Sequence, residues 1–167
     1  MKLLLVITLL GFPIAASTQE SQSGTRILSI YHGLDPIPAR AMALCGLAPV
    51  AGQDGMPVTF SVQINNESVL PTAFAVETSS GDVVTPLCAT LRPAIEPLEQ
   101  RTVLLIGAFS PEDSIPVAVE VLQQLEDVDG NSLVGLKGET VTALAAGPSL
   151  VLAELLAPSA EGIEGEC

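Results

Sequence analysis

The sequence predicts an all-β fold, a β-sandwich of about seven to eight short strands. Apolar and polar side chains alternate in several short segments, which is the pattern of a strand with one buried and one solvated face. Pro and Gly turns separate these segments at the spacing typical of a sandwich. Thirteen prolines scattered through the 167 residues also argue against a helical bundle, because proline interrupts helices.

The first elements in chain order are a strand, a helical turn and a longer strand. Residues 26–31 are the expected first strand, and residues 39–44 are expected to form one helical turn. The clearest strand covers residues 57–65, where apolar side chains stand at every second position from Val58 to Ile64.

A hairpin and two further strands follow. Residues 73–78 and 83–86 are the predicted arms of the hairpin, and the polar residues 79–82 form its turn. Residues 101–109 contain a continuous apolar run, which is typical of a central strand covered on both faces. Residues 116–122 alternate again and predict another half-buried strand.

The C-terminal part predicts a turn and two more strands. Residues 127–132 are dense in turn formers, and residues 141–145 are the strand that follows. We favour a strand at residues 150–155. A helix over residues 149–156 is the alternative, because a serine cap precedes a leucine-rich run there.

Residues 1–17 have the organisation of a secretory signal peptide. Lys2 supplies a positive charge, the apolar run 3–12 follows, and small residues then favour cleavage before Thr18, with cleavage after Ala16 as the alternative. The apolar run is shorter than the about 20 residues that span a bilayer. We therefore expect a secreted or periplasmic protein.

The mature chain is strongly acidic. Without the signal peptide, five basic residues remain against nineteen acidic ones, a formal net charge of −14. This charge argues against nucleic acid and anionic membranes as partners, because both repel acidic surfaces. No later segment is long and apolar enough to predict a membrane span.

Three cysteines leave an odd number in an exported chain. Export favours oxidation, and Cys45 and Cys88 are the predicted pair because both lie beside predicted strands. Cys167 follows an acidic, Gly-rich tail at 159–167. It is either a candidate for a disulfide between chains, or the chain is a fragment whose remaining part holds its partner.

A family resemblance covers about residues 57–134. The V-T-F-S strand at 58–61 and the segment 69–76 are similar to the opening strands of bacterial Ig-like repeat domains, and 128–133 resembles their D-x-x-G-N-x-L turn, shortened by two residues. The resemblance implies one Ig-like β-sandwich domain at 18–158. The whole chain also resembles secreted proteins of marine bacteria whose activity is uncharacterised. Neither resemblance supplies a catalytic residue.

His32 is the only histidine and hence the only candidate histidine base, with Asp35 to orient it. A spacing of three residues in a loop is not diagnostic, and the chain has no G-x-S-x-G motif. A zinc site needs three or four ligands, whereas export favours oxidised cysteines. Met42 and Met56 match no copper-binding spacing with His32. We therefore predict no catalytic residue and no cofactor here.

Asp127, Asp129 and Asn131 are the candidate calcium ligands, because Ca²⁺ binds carboxylate and amide oxygens at alternate positions. An EF-hand loop needs Gly at its sixth position and Glu at its twelfth, and this segment has neither. A structural turn is the favoured interpretation. Calcium remains the alternative, with Glu120 and Glu126 as further oxygen donors.

These observations predict an exported, non-enzymatic module for binding, adhesion or an accessory role, with an unidentified protein or surface ligand as partner. The alternative is a periplasmic enzyme or metal-handling protein that uses His32 with nearby acids. A cleft in which His32, Asp35 and another acid or a serine converge would favour that alternative.

Overall fold

The computed structural model describes residues 24–46, 48–96, 99–110 and 114–153. Within these ranges the chain forms β-strands and short 3-10 helices, and no helix there is long and apolar enough to cross a membrane. The strands are β1 (Ile27–His32), β2 (Asp54–Phe60), β3 (Phe74–Thr78), β4 (Val83–Val84), β5 (Cys88–Thr90), β6 (Thr102–Gly107), β7 (Pro116–Val121), β8 (Lys137–Gly138) and β9 (Thr142–Ala143). The 3-10 helices are Ala39–Leu44, Asn66–Ser68, Pro71–Ala73 and Leu144–Ala146.

The strands form two sheets. One sheet has five strands in the order β5-β6-β2-β1-β9, and the other has four in the order β4-β3-β7-β8. All neighbours are antiparallel except β1 and β9, where Tyr31 lies beside Thr142 in a parallel pair. The predicted all-β class is confirmed, and so is the hairpin of β3 and β4.

One apolar core lies between the two sheets. Alternate side chains of β2, including Val58 and Phe60, point into it from the five-stranded sheet. Phe74 and Val76 enter the same cluster from β3 of the other sheet. Because both sheets bury their inner faces against one cluster, the architecture is a β-sandwich.

Strand β6 is apolar on both faces, as the continuous run predicts. Val103 and Leu105 point into the core between the sheets. Leu104 and Ile106 point to the opposite face and join a second, smaller cluster. This second cluster lies on the outer face of the five-stranded sheet, where Ile37, Ala41 and Val50 cover the strand.

The predicted disulfide holds this covering segment to the sheet. Cys45 follows the 3-10 helix Ala39–Leu44, and Cys88 is the first residue of β5. The two residues form a disulfide with their Cα atoms 5.6 Å apart, so the predicted pairing is confirmed. The helical turn predicted at residues 39–44 is also present.

Several predicted strand limits are wrong. The strand predicted at 57–65 is β2, which begins at Asp54 and ends at Phe60, although Ile64 is still fully buried. The alternating pattern of 61–65 therefore reflects burial against the core and not pairing in a ladder. Of the strand predicted at 141–145, only Thr142–Ala143 pairs, and Leu144 begins a 3-10 helix.

Some predictions fall at or beyond the limits of the described residues. Residues 150–153 form neither the predicted strand nor the alternative helix. The predicted signal peptide at 1–17 and the tail at 159–167 lie outside the described residues, as does Cys167.

Candidate functional site

An apolar groove of about 460 Å³ lies on the outer face of the five-stranded sheet. Residues 34–44, which follow β1, supply most of its lining. Pro93, from the loop after β5, and Leu104 of β6 complete it. Its size is within the range of protein sites that bind small molecules or short segments.

Local sequence explains how residues 34–38 are placed. Pro36 and Pro38 have no N–H, so this stretch has few donors to satisfy. The chain bends at Pro36, which follows a cis peptide bond, and is extended at Pro38. The amide of Ile37 donates to the carbonyl of Gln53 at 2.9 Å, and that of Gly55 donates to the carbonyl of Leu34, also at 2.9 Å. These bonds attach the groove wall to the start of β2.

The close approach of this wall requires a glycine at position 55. A Cβ atom there would lie 2.8 Å from Ile37 Cδ1 and 3.0 Å from the carbonyl oxygen of Leu34. Ile37 and Ala41 are consequently buried in the second cluster, while Leu34 stays 41% exposed at the groove. The disulfide from Cys45 to Cys88 attaches the end of the following 3-10 helix to β5.

One basic and one acidic side chain are part of the groove lining. Elsewhere, the Lys137 ammonium contacts Glu77 at 3.2 Å, and Arg101 donates to the Ser61 carbonyl at 2.5 Å. Arg40 lines the groove, and Arg92 immediately precedes Pro93 in its lining. Neither of these two guanidinium groups forms an ion pair within the described part of the chain. The groove lining therefore combines apolar side chains with one cation, Arg40, and one anion, Asp35.

His32 and Asp35 are not brought together in this groove. His32 is half-buried at the end of β1, where it pairs with Ala143 of β9. Asp35 is exposed and lines the groove, whereas His32 does not. Across the ranges that the structure describes, no group of three or more His, Cys, Asp or Glu side chains is placed to hold a metal ion. The enzyme hypothesis gains no geometric support from these two residues.

Asp127 organises the turn that contains the candidate calcium ligands. Its Oδ1 accepts from the amides of Asp129 at 2.9 Å and Asn131 at 2.8 Å, and its Oδ2 accepts from Asn131 Nδ2 at 2.9 Å. The side-chain hydrogen bond from Asn131 lowers the pKa of Asp127, with further help from backbone donors and against the effect of burial. Both carboxylate oxygens thus accept hydrogen bonds from the turn itself.

The other candidate oxygen donors for calcium lie in different environments from Asp127. Asp129 and Glu126 are exposed in the turn region. Glu120 belongs to β7 and lines a shallow depression on the outer face of the four-stranded sheet with Glu77 and Lys137. The calcium interpretation of Asp127, Asp129 and Asn131 stays a prediction, and the hydrogen bonds favour the structural turn.

The groove was not predicted from the sequence. Its signal is weak in retrospect: prolines at 36 and 38 alternate with Ile37, and Leu34 and Leu44 flank them. No local pattern connects these residues with Pro93 and Leu104, which are about 50 to 70 positions away in the numbering.

Comparison with known proteins does not assign the chain to a family. No family model, curated protein or solved structure matches it. The Ig-like resemblance of residues 57–134 stays a prediction from the sequence.

Proposed function

We propose that the mature protein is an exported, Ig-like β-sandwich that acts as a non-enzymatic binding module. An apolar segment of its partner occupies the groove beside the Cys45–Cys88 disulfide. The groove is the observation that carries this proposal, because a concave, mostly apolar lining with a few polar groups is the usual form of a binding site. The signal-like N-terminus and the disulfide support export.

The groove is suited to weak and reversible contact. Burying two aliphatic side chains of a partner contributes roughly 3–6 kcal/mol before the costs of association are subtracted. The groove wall is attached by backbone hydrogen bonds and a disulfide, so little further ordering accompanies binding. If many copies act together, the overall affinity rises above that of one groove.

The test is a titration of the oxidised protein with a neutral apolar peptide, acetyl-Gly-Leu-Val-Leu-Gly-amide, followed by amide NMR. We expect shifts concentrated at Leu34, Ile37 and Leu104. Leu34→Ser should weaken them, because it removes exposed apolar surface from the groove. Val83→Ser is the matched control, since Val83 is 67% exposed on the other sheet. Shifts that are absent, or that occur away from the groove, would contradict the proposal.

A further inference from the structure

We infer that the chain's own C-terminal segment 154–158, through Leu155 and Leu156, occupies the groove until a partner displaces it. This inference rests on the proposed function, since it names what competes with the partner for the same groove. Residues 154–158 lie outside the described ranges. The basis of the inference is the place where the chain leaves the described fold and the apolar pair that follows in the sequence.

The C-terminal part of the described chain is attached to β1 at Tyr31. Thr142 of β9 pairs with this tyrosine, and Oγ of Ser149 lies 2.7 Å from its Oη. Residues 150–153 then follow without secondary structure, and Leu150 is 86% exposed. The segment that follows Ser149 therefore starts beside Tyr31.

Tyr31 points to the face of the sheet that carries the groove. Ile30 points into the core, and successive side chains of a strand point to opposite faces, so Tyr31 points outward. Ile30 pairs with Val58, which places Tyr31 level with Pro57 of β2. Pro57 in turn pairs with Leu104, which belongs to the outer cluster and lines the groove. Because β2 lies between β1 and β6, Tyr31 and Leu104 are two strand spacings apart, about 10 Å.

The sequence supplies an apolar pair within reach of that distance. Leu155 and Leu156 are the sixth and seventh residues after Ser149. Six extended residues span up to about 20 Å. This reach exceeds the separation between β1 and β6, so the leucine pair can enter the groove while Ser149 stays beside Tyr31.

The groove suits two leucines better than another opening near β1. That other opening, of about 370 Å³, lies between residues 27–30 of β1 and residues 137–140, and its lining is mostly polar. Apolar side chains gain free energy in an apolar lining, whereas covering polar groups without a hydrogen bond costs free energy. Leu34, Ile37 and Leu44 supply such an apolar lining in the groove.

The covalent connection makes this segment a stronger competitor than a dissolved segment of a second copy. A short flexible connection gives an effective concentration of about 1 mM. A contact that buries two aliphatic side chains corresponds to a Kd of about 0.1–1 mM without the connection. The occupied groove then outnumbers the open one by roughly 1 to 10, which weakens the binding of a dissolved peptide roughly 2- to 11-fold.

The first experiment compares amide NMR spectra of the oxidised full chain and its double variant Leu155→Ser/Leu156→Ser, without any peptide. We expect changed shifts at Leu34 and Leu104, because the groove loses its occupant. Leu150→Ser is the matched control, since it removes an exposed leucine that precedes the pair, and it should leave the groove signals unchanged. Unchanged signals of β3 and β7 show that the sandwich is intact in each variant.

The second experiment measures the competition with the neutral peptide acetyl-Gly-Leu-Val-Leu-Gly-amide. We expect this peptide to bind the double variant roughly 2- to 11-fold more tightly than the parent protein. The Leu150→Ser protein should bind it with the affinity of the parent.

Each remaining outcome has a defined meaning. Groove signals that are the same in the parent and the double variant, or equal peptide affinity of the two, overturn the inference and leave the proposed function standing. Absence of peptide-induced groove shifts in both proteins contradicts the proposed function itself. Parent signals that move to those of the double variant on dilution identify a second copy's segment as the occupant and overturn the inference. Changes at residues 27–30 in place of the groove locate the segment in the polar opening, with the same consequence.

Discussion

The Cys45–Cys88 disulfide should contribute strongly to stability and should hold the groove wall in place. The bridge closes a loop with a sequence separation of 43 residues. In the chain-entropy model, closure of such a loop in the unfolded state stabilises the folded protein by about 4 kcal/mol. We expect Cys45→Ala/Cys88→Ala to lower the free energy of unfolding by about this amount, because the unfolded chain regains that freedom.

The measurement is equilibrium unfolding in urea, with Cys167→Ser in both proteins so that the remaining thiol does not interfere. Hydrogen exchange gives a second readout, because the Ile37 amide bonds the Gln53 carbonyl in the wall that the bridge anchors. In the variant without the disulfide, the protection of the Ile37 amide should fall more than that of the Val58 amide in β2. A decrease of less than about 1 kcal/mol in the free energy of unfolding, together with unchanged hydrogen exchange of the Ile37 amide, would refute this expectation.

Three further predictions concern other parts of the sandwich. Gly138→Ala should destabilise the fold by roughly 1–3 kcal/mol in thermal or urea unfolding, because its Cβ would lie 2.5 Å from Ile30 Cδ1. Gly24→Ala has open space and should be neutral, and equal effects of the two changes would be inconsistent with this packing. Asp127→Ala should cost about 1–3 kcal/mol at neutral pH, since it leaves the turn's donors without an acceptor. The folded-state pKa of Asp127 is lowered, so this contribution is present above the ordinary value of 3.8 and is lost as the pH falls below it. Acid-unfolding curves of the two proteins should therefore converge at low pH. Millimolar Ca²⁺ should leave the melting temperature unchanged relative to chelator, because both carboxylate oxygens of Asp127 already accept hydrogen bonds from the turn. A higher melting temperature in Ca²⁺ would instead support the calcium interpretation.

Much of the fold follows from local sequence pattern. Alternation at Val58 and Phe60 predicted a strand with one buried face, and the run within 101–109 predicted a strand covered on both faces. These predictions succeed because the side-chain period of a strand is a local property of the chain. The pairing of Cys45 with Cys88 followed from their positions beside predicted strands and from the oxidising compartment implied by the N-terminus.

The tertiary structure decided which buried residues pair in a ladder and where the surface is concave. Ile64 continues the apolar alternation yet lies outside β2, because the chain leaves the sheet after Phe60 while it still packs on the core. The groove depends on Leu34 meeting Pro93 and Leu104, which are distant in sequence. The sequence alone determined which segments alternate between apolar and polar residues, and which cysteines were candidates for a disulfide. Contacts between distant residues placed the groove, because no local pattern encodes where separate segments meet.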